Sequence, residues 1–133
     1  MIVRNLFRVA FVLFAGSLWS LALWVAPTLF FEQPDRRMAG LLAARLFSLE
    51  AYLGLGVAAL ALLTPARSRM RGLYGAAALL ALNEFVLKRF MEKAQLHGTA
   101  LGLGFGAWHG VSAVLYVLAA LGVLWIVWNE NFR

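Results

Sequence analysis

Four apolar stretches divide the chain, at about 9–31, 38–63, 72–91 and 99–128. Each is close to the roughly 20 residues that carry a helix across about 30 Å of hydrocarbon at 1.5 Å per residue. The polar positions between them are few and clustered. Glu32-Gln33-Pro34-Asp35-Arg36-Arg37 separates the first two stretches, and Thr64-Pro65-Ala66-Arg67-Ser68-Arg69-Met70-Arg71 the second and third. Glu92-Lys93-Ala94-Gln95-Leu96-His97 separates the third from the fourth. Pro65 stops the helix before it. Connections this short force consecutive helices to run antiparallel, and in lipid only helices or closed barrels satisfy their own backbones. The pattern predicts an all-α fold, an integral membrane four-helix up-down-up-down bundle forming a single transmembrane domain over 1–133.

Composition points the same way. Of 133 residues 63% are hydrophobic and 14% charged, with a mean hydropathy of +0.81. A water-soluble domain carries about 25% charged residues, so the apolar excess calls for lipid as its solvent. Cysteine is absent, which excludes disulfides, thiolate metal sites and cysteine nucleophiles. The net charge of +6 sits in short clusters between apolar runs, with no basic helix to lay along a phosphate backbone. Lysines and arginines facing anionic headgroups account for it, and no nucleic-acid partner is expected.

The first apolar run, about 23 residues long, exceeds the 7–15 of a signal-peptide core, and Pro27 follows Val25-Ala26 where a cleavage site would lie. It reads as a retained first span. Four spans place both termini and the 67–71 loop on one side. With Arg45 and Lys88 set aside as embedded, that side holds Arg4, Arg8, Arg67, Arg69, Arg71 and Arg133, against Arg36, Arg37, Arg89 and Lys93. The balance favours cytoplasmic termini in an inner membrane.

Two features within the spans carry candidate roles. Gly98, Gly102, Gly106 and Gly110 recur every four residues, a period that lets helix backbones approach closely. Packing within the monomer is the plainer expectation and a dimer seam the sharper one; Gly16 with Ser20 and Gly54 with Ala58 repeat the pattern weakly. The second feature is ionisable. A charge inside the bilayer is costly and faces a partner or a cavity. Glu50 and Glu84 fall near midplane, Arg45 and Lys88 about 9 Å from it by helical rise, and His109 in the same half.

Glu84 and Lys88 share a face at four-residue spacing. Arg45 and Glu50 diverge and each needs a partner on another helix. Phe105, His109, Ser112 and Tyr116 form one stripe on the fourth span, and Asn83 adds a polar group beside Glu84. The expected polar site is therefore Arg45, Glu50, Asn83, Glu84, Lys88, His109, Ser112 and Tyr116. It is either a self-satisfying network that sets helix register or a pocket for an ion or polar solute. With two histidines and no cysteine, no metal site is expected. Haem would need His109 as its axial ligand.

The segment Leu18-Trp19-Ser20-Leu21-Ala22-Leu23-Trp24-Val25-Ala26-Pro27-Thr28-Leu29-Phe30, followed by Ala39-Gly40-Leu41-Leu42-Ala43-Ala44-Arg45-Leu46-Phe47, resembles a domain-of-unknown-function family of small bacterial membrane proteins. That family is related to eukaryotic transmembrane protein 205. Asn83 in the third helix and His109 in the fourth fit the same pattern. The resemblance implies four membrane helices and no settled activity; a link to resistance or export belongs to the eukaryotic relatives.

More distantly, the Trp…Pro-x-Leu-Phe pattern is similar to copper-resistance D proteins and to four-helix haem-binding protoporphyrinogen oxidases. The oxidase pattern has a histidine about where Val12 stands here, so its haem site is not carried over. The combined expectation is a transport, resistance or accessory protein without a cofactor, more plausibly not an enzyme, in contact with the lipid bilayer and open to homo-oligomers or a larger complex. The alternatives are a membrane redox enzyme or haem carrier, and a structural subunit.

Overall fold

Phe7, Phe11, Phe14, Leu18 and Leu21 recur every three to four residues and are the buried positions along the start of the chain. That spacing is the seam of a helix packed lengthwise on others. A computed structural model describes residues 1–129, without the side chains of Arg36 and Phe105. Arg133, counted above in the charge balance, lies outside the described residues, as does the side chain of Phe105.

The first helix, Ile2–Glu32, contains one wide turn at Leu21–Val25, where the Ala26 N–H reaches back five residues to the Leu21 carbonyl. Its cause is Pro27, which has no N–H to give and whose ring would collide with the carbonyl four residues back; opening one π turn relieves the clash without ending the helix. The second helix, Arg36–Leu62, starts at Asp35, whose Oδ1 accepts from the backbone N–H of Arg37 at 2.9 Å and of Met38 at 3.4 Å. It ends where the Thr64 hydroxyl donates to the Ala61 carbonyl at 2.8 Å, just before Pro65.

A short 3-10 turn, Arg67–Arg69, leads into the third helix. This helix spans 71–97 as Arg71–Leu82, a π turn at Asn83–Leu87, and Lys88–His97. It stops at Gly98, whose φ of +83° is open to glycine at little cost. A small hairpin follows, Thr99–Ala100 against Leu103–Gly104, turning through Leu101 (φ +51°) and Gly102 (φ +78°). The fourth helix is Phe105–Asn129. Trp108, in its first turn, donates from Nε1 to the Ala100 carbonyl at 3.0 Å and stacks on Phe90 with ring centres 4.9 Å apart. One aromatic side chain thereby ties the hairpin to the helices on either side of it.

Paired contacts give the helix directions. Phe14 meets Gly54 while Ser17 meets Glu50. Leu80 meets Gly54 while Glu84 meets Ser48. Gly72 meets Gly122 while Asn83 meets Ser112. In each pair one number rises as the other falls, so consecutive helices run antiparallel. The first and fourth also touch, through the Tyr116 hydroxyl donating to the Leu18 carbonyl at 2.7 Å.

Three of the helices, Ile2–Glu32, Arg37–Leu62 and Gly106–Asn129, are long and apolar enough to cross a membrane. The third carries Glu84, Lys88, Arg89, Glu92 and Lys93, and its apolar part is correspondingly shorter. The outward surface is rich in large apolar side chains such as Val9, Leu13, Leu49, Leu53, Val117 and Leu121, a surface suited to lipid rather than to water.

Two expectations are corrected here. The fourth helix begins at Phe105, not at Thr99, and the third runs on to His97. Gly98 and Gly102 consequently lie off the helix, in conformations that use glycine's freedom of φ. A Cβ added at Gly106 or Gly110 would meet nothing within 4 Å, so the four glycines do not line a close contact inside the chain. The close approach is made elsewhere. A Cβ on Gly72 would stand 2.8 Å from the Gly122 carbonyl oxygen, and one on Gly122 3.2 Å from that of Gly72. Gly54 has a similar role under the Phe14 ring, whose Cζ would lie 3.0 Å from an added Cβ.

Candidate functional site

The π turn of the third helix is where polar chemistry collects. The Lys88 N–H bonds to the Asn83 carbonyl, five residues back, so this turn presents Asn83 and Glu84 from a widened helix. Wide turns of this kind cost helix regularity and are frequent at functional sites. No proline accounts for this one. The two side chains leave it toward different neighbours.

Glu84 points to the second helix. Ser48 donates its hydroxyl to Glu84 Oε2 at 2.8 Å, and Lys88 Nζ lies 3.1 Å from Ser48 Oγ and 3.4 Å from Glu84 Oε1. Ser48 Oγ is also 3.0 Å from the Ala44 carbonyl, but its single hydrogen favours the shorter, charged acceptor. The result is a closed triangle of acid, base and hydroxyl across two helices. Glu84 is well shielded at 13% exposure while Lys88 keeps 37%, so the lysine stem covers the acid and its ammonium stays near the edge of the protein.

Asn83 points to the fourth helix. Its Oδ1 accepts from the Ser112 hydroxyl at 2.6 Å, and its Nδ2 donates to the Ser112 carbonyl at 3.3 Å. A side-chain amide and a serine thus satisfy each other in a ring. Asn83 and Glu84, adjacent in sequence, join three helices at one level.

Glu50 stands apart. It is 7% exposed, its hydrogen-bond partner is Ser17 on the first helix, and its Oε2 has no hydrogen-bond partner. Tyr116 comes close from the fourth helix, with Phe47 edge-on to its ring at 4.8 Å. Two residues along a helix turn about 200°, so Glu50 and Ser48 look to different sides of the second helix.

The structure thus divides the eight expected site residues. Asn83, Glu84, Lys88 and Ser112 come together around the π turn, and Glu50 and Tyr116 form a second group. Arg45 does not join either: it is exposed and makes no ion pair with Glu84, because Ser48, not Arg45, occupies the position on the second helix facing that acid. His109 is exposed and joins neither group, although seven residues bring it to within about 20° of Tyr116 around the helix; it lies near the start of the fourth helix, nearly two turns before Tyr116.

Ser48 and Ser17 escaped the sequence reading. A serine in an apolar helix has little signal of its own, although counting antiparallel register from the 64–71 connection would have placed Ser48 about level with Glu84. Among the described residues no three of the His, Asp and Glu side chains gather closely enough to hold a metal ion.

Residues 9–100 match the family model described as Domain of unknown function (DUF4149). No curated protein and no solved structure matches the chain.

Proposed function

Because the chain belongs to this family of unknown function, its residues have to speak for its role, and we propose that it is a non-enzymatic transport or accessory protein of a bacterial inner membrane, built as a four-helix up-down-up-down bundle with cytoplasmic termini. Three apolar helices and the antiparallel contacts support the bundle. The third helix would complete it with Glu84 shielded and with Lys88, Arg89, Glu92 and Lys93 gathered in its last ten residues. The excess of arginines on the side of the termini supports the orientation.

The observation that carries the functional reading is the Ser48–Glu84–Lys88 triangle at the π turn. A helix that only packs against lipid and neighbours has no need of an embedded acid and base, and ionisable groups at such depth mark paths or seats for ions and polar solutes. A carboxylate, an ammonium with part of its surface free and a hydroxyl can exchange their mutual bonds for bonds to a small ionic or polar solute at little net cost.

Vesicles reconstituted with the protein and loaded with indicators for protons, potassium and chloride test this. Flux of at least one of these above that of empty vesicles is expected, lost when Glu84→Gln and Lys88→Met are combined. Flux no greater than in empty vesicles, or equal in the folded double variant, would assign the triangle to structure alone.

A further inference from the structure

Glu50 is the buried ionisable group that the triangle does not use, and its surroundings specify a different role. Three helices enclose it. The first contributes Ser17, with Phe14 and Leu18 buried beside it in sequence, and no charged residue at this level. The fourth contributes Tyr116, whose hydroxyl hydrogen is committed to the Leu18 carbonyl at 2.7 Å. On the third helix the charged groups at this depth are Glu84 and Lys88, and they are bonded to each other and to Ser48. No cation is paired with Glu50 among the described residues.

The hydrogens around it are also assigned. Ser17 directs its hydroxyl at the Phe14 carbonyl, 3.0 Å away. Ser17 is also the partner of Glu50, so its single hydrogen can serve the Phe14 carbonyl or the carboxyl group but not both. A carboxylate here would have at most the one Ser17 hydrogen, taken from the Phe14 carbonyl, and would leave Oε2 unbonded at 7% exposure with no cation beside it. A buried charge without partner or donor is the costliest arrangement a membrane interior can hold. A carboxylic acid fits every one of these contacts: its O–H is donated to Ser17 Oγ, and Oε2 is left as a neutral carbonyl oxygen, whose missing bond costs far less. Two hydroxyls and one carboxyl are too few oxygens to cage a metal cation, so the ligand that suits the site is the proton.

We propose that Glu50, enclosed by Ser17 and Tyr116, is a reversible proton-binding site within the membrane. Binding forms one O–H bond and takes the side chain from −1 to neutral; release returns the proton to water and requires the helices around Glu50 to part enough to hydrate the carboxylate. The site is separate from the Ser48–Glu84–Lys88 triangle and does not rest on the transport reading.

Infrared spectroscopy of the full chain in lipid, titrated from acid to alkaline pH, tests it. The expected result is a protonated-carboxyl C=O band that fades as pH rises, is absent in Glu50→Gln and persists in Glu84→Gln. Ser17→Ala is expected to move the band to higher frequency by removing the acceptor of its O–H, which assigns the band even if Glu50→Gln does not fold. The proposal is overturned if no such band exists, if it survives Glu50→Gln, if it ignores Ser17→Ala, or if it persists unchanged to the highest pH at which the protein remains folded. The last result would make Glu50 a permanent neutral acid.

Discussion

Lys88 and Glu84 show how unequal two members of one pair can be. Glu84 is the more shielded, and both its oxygens are bonded, to Ser48 and to Lys88. Removing Lys88 strips the acid of its counter-charge and leaves it where water is scarce. Lys88→Met is therefore expected to lower stability by about 1–3 kcal/mol, less than for a fully buried pair because the ammonium is partly exposed. Adding Glu84→Gln to Lys88→Met should recover part of that loss, since the remaining neutral amide can still accept from Ser48. Thermal unfolding in detergent checks the order; a double variant less stable than Lys88→Met would contradict it. Ser48→Ala, which removes one link from the same triangle, should cost about 1 kcal/mol.

At the scale of elements, the closest helix pair is the third with the fourth, and the residues that permit it are Gly72 and Gly122. A leucine at Gly122 would drive its side chain into the Gly72 carbonyl and the neighbouring Ala76. Gly122→Leu should cost at least ~1–3 kcal/mol as overpacking. Gly106→Leu, on an open face, should stay within about 0.5 kcal/mol in the monomer. Melting temperatures of the two variants, measured in parallel, decide the point: equal loss at both would restore a packing role to Gly106. Four glycines at one spacing looked like a single stripe because sequence period cannot tell glycine used for its missing Cβ from glycine used for positive φ. Gly98 and Gly102 are of the second kind.

For the whole molecule, antiparallel neighbours predict that the two connections after the first and second helices emerge on opposite membrane faces. Reporter fusions at Asp35 and at Arg69 should report opposite sides, with the Arg69 fusion cytoplasmic. Agreement between them would mean that the second helix, Arg36–Leu62, which alone lies between the two sites, does not cross the membrane.

The four helices and the all-α class follow from the sequence by itself, because the length and clustering of apolar runs are local properties set by what lipid and backbone require. The spacing of Glu84 and Lys88 is local in the same sense, and a single helix brings them together. What lies across helices does not have that legibility. That Ser48 rather than Arg45 meets Glu84, and that Asn83 closes on Ser112, depend on how each helix is rotated about its axis. That rotation is decided jointly by the Gly72–Gly122 approach, by the Phe14 ring over Gly54, and by two π turns that each shift the register of everything beyond them. A π turn adds one residue to a helical turn and so swings the following side chains by about 100°. Only the assembled tertiary structure settles where those turns fall and which faces they bring together.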